Sequence, residues 1–237
     1  MIEVIILALV QGITEFIPVS STAHLVLISE YLNFENTSLT LDVSLHIGSF
    51  FAIVTYFRKE IFNFVKNKKI LVKILISSIP TMIIGYFLVQ FSLIDYLRDY
   101  KLIGWTTIIF GVLLYFSDLK KQKKKIKNAY NFKTAIYIGL FQILSLIPGV
   151  SRSGITITGA RMFSFNRLDS ARISFLMSIP ILGAVSVFNL KNLLIDNNLE
   201  YSILNLLSIF LSFIVSYFTI KFFLKFIKKF SLNIFVI

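Results

Sequence analysis

Glu15, Ser21, His24 and Arg152 are the side chains of this chain best suited to chemistry, and each sits in a short polar motif inside strongly apolar sequence. Gln11 and Glu15 are four residues apart and share one helix face, which runs up to a break at Pro18. Ser20, Ser21 and Thr22 follow the break, and Ser21 and His24 share a face of the next half-helix. A second broken segment, Pro148-Gly149-Val150-Ser151-Arg152-Ser153-Gly154, offers an oxyanion a guanidinium fork, two hydroxyls and the free N–H groups of a helix start. Arginine suits bidentate phosphate recognition better than lysine does. Together these groups describe a phosphoryl-transfer site. A carboxylate can hold a divalent cation, Arg and N–H groups neutralise phosphate oxygens, and His with Ser supplies proton transfer or attack.

Plainer readings compete. An intramembrane hydroxyl commonly bonds its own helix backbone. Glu15 and Arg152 could form a structural ion pair, but such a pair stabilises little and is costly to insert. His24 could cap an interface. His46, one turn after Asp42 near the end of an apolar segment, reads as a polar interface residue.

The elements that must position these groups are membrane helices. Of the 237 residues 56% are apolar, with a mean hydropathy of +0.80, above the roughly 45–50% apolar usage of soluble domains. The first apolar run lacks a basic leader and belongs to the fold rather than to a cleaved signal peptide. The absence of cysteine excludes disulfides and thiolate chemistry, and two histidines argue against a multi-histidine zinc site. The net charge of +12 comes from lysines in short loops, which suits topology signals and lipid headgroups rather than nucleic acid.

Apolar segments at 41–57, 74–94, 102–117, 173–190 and 201–220 read as crossings. Segments 4–32 and 132–165 are interrupted at Pro18 and at Pro148-Gly149, giving half-helices of about 14 residues, roughly 21 Å, too short to span. Each reads as a re-entrant helix-loop-helix hairpin. With both ends of the first hairpin outside, all but Arg98, Lys101, Lys191 and Arg152 of the chain's 24 Lys and Arg fall inside. The hairpins then enter from opposite faces. The expected fold is an all-α polytopic membrane domain over 1–237: an inverted-topology repeat of 1–117 and 132–237 around an inside basic loop at 118–131, with the site where the hairpins meet. The second half carries one helix fewer than the first, so a last helix is missing from the expected pattern, a gap for lipid or self-association to fill.

Both motifs resemble the undecaprenyl-diphosphatase family, the bacterial membrane phosphatases linked with bacitracin resistance. The family pattern is a Glu or Gln, three residues, Glu, then Pro-Val-Ser-Ser-Thr-x-His, with a distal Pro-Gly-x-Ser-Arg-Ser-Gly. This chain matches it from Gln11 to His24 and from Pro148 to Gly154. The resemblance implies hydrolysis of a polyprenyl diphosphate to the monophosphate carrier of cell-wall synthesis, aided by Mg²⁺ or Ca²⁺, at a site facing outward from the bacterial cytoplasmic membrane. Carried over by motif, Glu15 is the metal or acid–base carboxylate, Ser21 the candidate nucleophile, His24 its proton-transfer partner and Arg152 the diphosphate clamp. Gln11, Ser20, Thr22, Gly149, Ser151 and Ser153 complete the substrate-binding set. The nucleophile stays open between Ser21, His24 and a metal-activated water. Many relatives have Glu where this chain has Gln11, which leaves Glu15 to bear the charge alone, and Ala23 replaces a frequent Gly. The inverted repeat also admits a transporter or flippase of a polyprenyl phosphate lipid.

Overall fold

The computed structural model describes residues 1–34, 39–66, 68–91, 99–195 and 199–236. Arg98 and Ile237 lie outside the described residues. The helices are α1 (Ile2–Thr14), α2 (Ser21–Tyr31), α3 (Leu39–Tyr56), α4 (Arg58–Lys66), α5 (Lys68–Gln90), α6 (Tyr100–Asp118), α7 (Ile126–Ala129), α8 (Phe132–Ile143), α9 (Arg152–Met162), α10 (Arg167–Ile195) and α11 (Leu199–Phe226). No strand occurs among the described residues.

Four helical stretches, Lys68–Gln90, Tyr100–Asp118, Arg167–Phe188 and Ile203–Phe226, are long and apolar enough to cross a membrane. Trp105, Ile108 and Phe116 on α6 and Phe210, Phe218 and Phe222 on α11 are all more than half exposed. Such an exterior suits hydrocarbon rather than water. The crossing expected at 41–57 corresponds to the apolar helix Thr40–Tyr56, shorter than these four. It stops where Arg58-Lys59-Glu60 opens α4. The long helices also begin before their apolar segments do, because hydropathy marks the buried or lipid-facing part of a helix and backbone hydrogen bonding carries it further.

Two of the four prolines break their helices and two do not. Pro80 and Pro180 lie inside α5 and α10, whereas Pro18 and Pro148 separate α1 from α2 and α8 from α9. The difference lies in the serines just beyond the two helix-breaking prolines. Ser20 is extended and accepts from the Ala23 amide at 3.3 Å; Ser151 is extended and accepts from the Gly154 amide at 3.1 Å. Each hydroxyl caps a new helix start.

The packing pairs α1 with α2 and α8 with α9. In turn α1 lies on α11 and α8 on α5, α3 packs against α11 and α10, and α10 also packs against α5. Gly12 brings α1 onto Val215 of α11, and Gly139 brings α8 onto the Ser77 carbonyl of α5; a Cβ at either would approach within 2.6 Å and 2.3 Å of those atoms. Phe175 on α10 centres the core, edge-on to Phe16 at 5.3 Å and close to Phe223 at 5.8 Å. Phe16 thereby anchors the loop between α1 and α2 beside Glu15.

The basic segments meet at one end of the bundle. Arg172 pairs with Glu60 at 2.9 Å, Lys73 donates to the Tyr130 carbonyl at 2.7 Å, and Lys120 to that of Met162 at 3.2 Å. Asp118, at the end of α6, gathers Arg161 at 3.2 Å, Arg167 at 2.8 Å, the Ser231 hydroxyl at 2.8 Å and the Leu232 amide at 3.1 Å. This cluster ties α6, α9, α10 and the 3₁₀ turn Leu232–Phe235 together.

Candidate active site

The two broken segments meet through their loops. Ser153 donates to the Ile17 carbonyl at 2.7 Å, joining the start of α9 to the loop after α1. Gly149 has φ of +89°, and a Cβ there would lie 2.2 Å from Thr106 Oγ1. Only glycine suits such a turn without strain. Thr106 Oγ1 donates to the Pro148 carbonyl at 2.7 Å and Thr107 Oγ1 to that of Gly149 at 3.2 Å, so α6 holds the second loop in place.

Glu15 sits at the end of α1 and is buried. Its Oε1 accepts from Arg152 Nη2 at 2.7 Å. Its Oε2 accepts from Ser21 Oγ at 2.8 Å and from Gln11 Nε2 at 3.1 Å, and His46 Nδ1 lies 3.8 Å away. Glu15 and Arg152 thus pair directly, across 137 positions of sequence. The pair is not saturated. Arg152 Nη1 and Gln11 Oε1 are buried without a hydrogen-bond partner. Unpartnered groups of this kind call for a ligand or water. Arg152 presents the free arm of its fork at the N-terminus of α9, where the helix dipole already favours an anion.

A cavity of about 510 Å³ is lined by Ser20, His24, Gly149 and Ser151, chain neighbours of the network, and continues along α6 from Tyr100 to Leu114 and Val236; Gln11, Glu15, Ser21 and Arg152 themselves do not line it. Most of that lining is apolar. Fourteen residues of helix amount to roughly 21 Å, so a polar head region joins a long greasy groove.

Of the expected site residues, Gln11, Glu15, Ser21 and Arg152 form one contiguous network. Ser20, Ser151 and Gly149 line the cavity, the two serines also serving as helix caps. Ser151 and Ser153 lie 3.0 Å apart; because Ser153 gives its proton to Ile17, Ser151 donates to Ser153. Thr22 is exposed and does not line the cavity. His24, expected beside Ser21, is bonded elsewhere: its Nδ1 lies 2.7 Å from the Ser20 carbonyl. A carbonyl only accepts, so Nδ1 carries the proton and Nε2 is the basic nitrogen. The base in reach of Ser21 is Glu15. His46, read from sequence as an interface residue, contacts Gln11 directly, Nδ1 to Nε2 at 2.6 Å. Its signal was the Asp42/His46 spacing on an otherwise apolar helix.

No three His, Asp or Glu side chains converge among the described residues. Mg²⁺ is commonly held by one or two carboxylates together with substrate phosphates and water. Glu15 and the unpartnered Gln11 Oε1 are hard oxygen donors that fit this mode.

The chain matches the family model described as bacitracin resistance protein BacA over residues 4–237. It is 55% identical over 237 residues to the undecaprenyl-diphosphatase of Pelagibacter ubique, covering 100% of this chain and 92% of that protein. Undecaprenyl-diphosphatase 1 of Pseudoalteromonas translucida is 40% identical over 227 residues, covering 90% of this chain and 85% of that protein. The undecaprenyl-diphosphatase of a Ruegeria species is 39% identical over 200 residues, covering 79% and 75%.

Proposed function

The chain belongs to the bacitracin resistance protein BacA family, and from that premise we propose that it hydrolyses undecaprenyl diphosphate to undecaprenyl phosphate and inorganic phosphate. The observation that carries this reading is the unsaturated pair. Arg152 keeps one guanidinium arm free at a helix N-terminus, beside a carboxylate that already holds a serine hydroxyl.

Arg152 Nη1 and the first-turn amides of α9 bind the diphosphate oxygens. Glu15 takes the proton of Ser21 as Ser21 Oγ attacks the terminal phosphorus. The new bond to Ser21 forms as the bridging P–O bond breaks, and the polyprenyl monophosphate leaves with that electron pair. Water then attacks the phosphoserine with His24 Nε2 as base, releasing inorganic phosphate, and Ser21 recovers its proton from Glu15. A divalent cation, when bound by Glu15 and Gln11 Oε1, would neutralise part of the diphosphate charge. The isoprenoid chain follows the apolar groove along α6, between Tyr100 and Val236.

In this reading the protein lies in the bacterial cytoplasmic membrane. The basic end of the bundle faces the cytoplasm and the site opens outward. The two broken segments are re-entrant hairpins related by an inverted repeat. The packing supports that relation: exchanging α1 with α8, α3 with α10 and α5 with α11 maps α1 on α11 onto α8 on α5, and α3 on α11 onto α10 on α5.

The test is phosphate release from undecaprenyl diphosphate by purified protein in detergent with Mg²⁺ or Ca²⁺. Turnover is expected, and its loss by about a thousandfold in Arg152→Ala and Glu15→Ala. No turnover by the wild type, or full turnover in both variants, would overturn the reading.

A further inference from the structure

We propose that His46 is a positioning residue of this site, acting through Gln11 to fix the Glu15 carboxylate and the free amide oxygen beside it. This rests on the phosphatase reading above.

The contacts dictate the protonation pattern. One end of the Gln11 side chain faces two groups at once, Glu15 Oε2 at 3.1 Å and His46 Nδ1 at 2.6 Å. An ionised carboxylate beside Arg152 only accepts, so that end of the amide must be the NH₂. Both of its protons are then used, and His46 must accept at Nδ1, with its own proton on Nε2. The amide oxygen Oε1 is left over, buried and without a hydrogen-bond partner.

Each group therefore has one arrangement. Without an acceptor at His46, the Gln11 amide is held at a single point, by Glu15, and can rotate or turn over. Turned over, it would set Oε1 against Glu15 Oε2, two acceptors in contact, and withdraw a donor from the carboxylate that must take the Ser21 proton. α3 thus reaches into a site otherwise assembled from α1, α2 and α9, and holds the amide through His46. His46 Nδ1 meets the Gln11 amide at 2.6 Å, and in this proposal its effect passes through that amide rather than through contact with the lipid diphosphate. The two histidines also differ: His24 protonates Nδ1, against the Ser20 carbonyl, and His46 protonates Nε2.

Kinetics and spectroscopy test this separately. His46→Leu is expected to lower kcat about tenfold with KM little changed, since outer-shell partners commonly contribute 10–100-fold. His46→Asn, whose Oδ1 can stand where Nδ1 stood, is expected to recover most of the loss. In a Gln11→Ala background, His46→Leu should add no further loss. Wild-type activity in His46→Leu, failure of His46→Asn to do better than Leu, or additivity with Gln11→Ala would each overturn the proposal. An inactive wild type would instead count against the phosphatase reading. The second arm needs no turnover. With only two histidines in the chain, ¹⁵N-histidine NMR at pH 8, assigned by His46→Leu, should show an Nε2–H tautomer for His46 and Nδ1–H for His24. An Nδ1–H tautomer at His46 would sink the proposal on its own.

Discussion

Among the described residues are two buried arginine–carboxylate clusters, and they differ in how completely they are satisfied. At the basic end, Asp118 accepts from Arg161, Arg167, Ser231 and the Leu232 amide. Arg161 is fully buried and spends its remaining donors on the carbonyls of Asp118, Lys120 and Phe165. Around Glu15, by contrast, Arg152 Nη1 and Gln11 Oε1 have no partner, and Ser151, next to Arg152 in the chain, lines a cavity. A closed ion cluster is architecture; an open one is prepared for a ligand. Composition does not separate the two, since each is a carboxylate and arginines among apolar helices.

Breaking the closed cluster should cost the most stability. Arg161→Ala leaves Asp118 with one arginine fewer and three carbonyls unbonded, and removing one partner of a buried pair typically costs about 3–5 kcal/mol. A fall in melting temperature in detergent, and lower yield, are expected; an unchanged melting temperature would mean the cluster carries no structural role. Next comes Gly149→Ala, which places a methyl against Thr106 in a left-handed turn. About 2 kcal/mol is expected, with activity falling too, because that turn delivers Ser151 and Arg152. Loss of stability without loss of activity would show that the loop's placement is not what organises the site. The smallest effect belongs to Ser153→Ala, which removes the bond to the Ile17 carbonyl that joins the loops. About 1 kcal/mol is expected by thermal denaturation.

Much of the open cluster was legible in the sequence, and little of the closed one. Gln11 and Glu15 share a helix face because they are four residues apart, and an arginine behind Pro148-Gly149 had few other uses at membrane depth. Arg161 and Arg167 read only as inside charges that set topology, and Asp118 only as the first residue of the basic loop. Counting charges between apolar segments says which side they occupy but not whether they are buried, and the burial of Arg161 depends on carbonyls supplied by 118–120 and Phe165, brought together only in the folded chain. His46 was passed over for a related reason: a histidine near the end of an apolar helix is ambiguous until the neighbouring helix is known. The pairing of Ser21 with Glu15 rather than His24 was equally hidden, because the Ser20 carbonyl that claims His24 is a backbone group no motif records. The helix boundaries were blurred where polar residues continue a helix beyond its apolar part, as at the start of α5.

The two clusters can be set against each other in one assay: initial rates of phosphate release from undecaprenyl diphosphate by Arg152→Ala and Arg161→Ala, each normalised to folded protein measured by gel filtration. Arg152→Ala should lose about a thousandfold per folded molecule, some 4 kcal/mol of transition-state stabilisation. The surviving folded fraction of Arg161→Ala should work within about threefold of wild type, under 1 kcal/mol. Equal losses per folded molecule, or an active Arg152→Ala, would contradict the division between an open catalytic pair and a closed structural one.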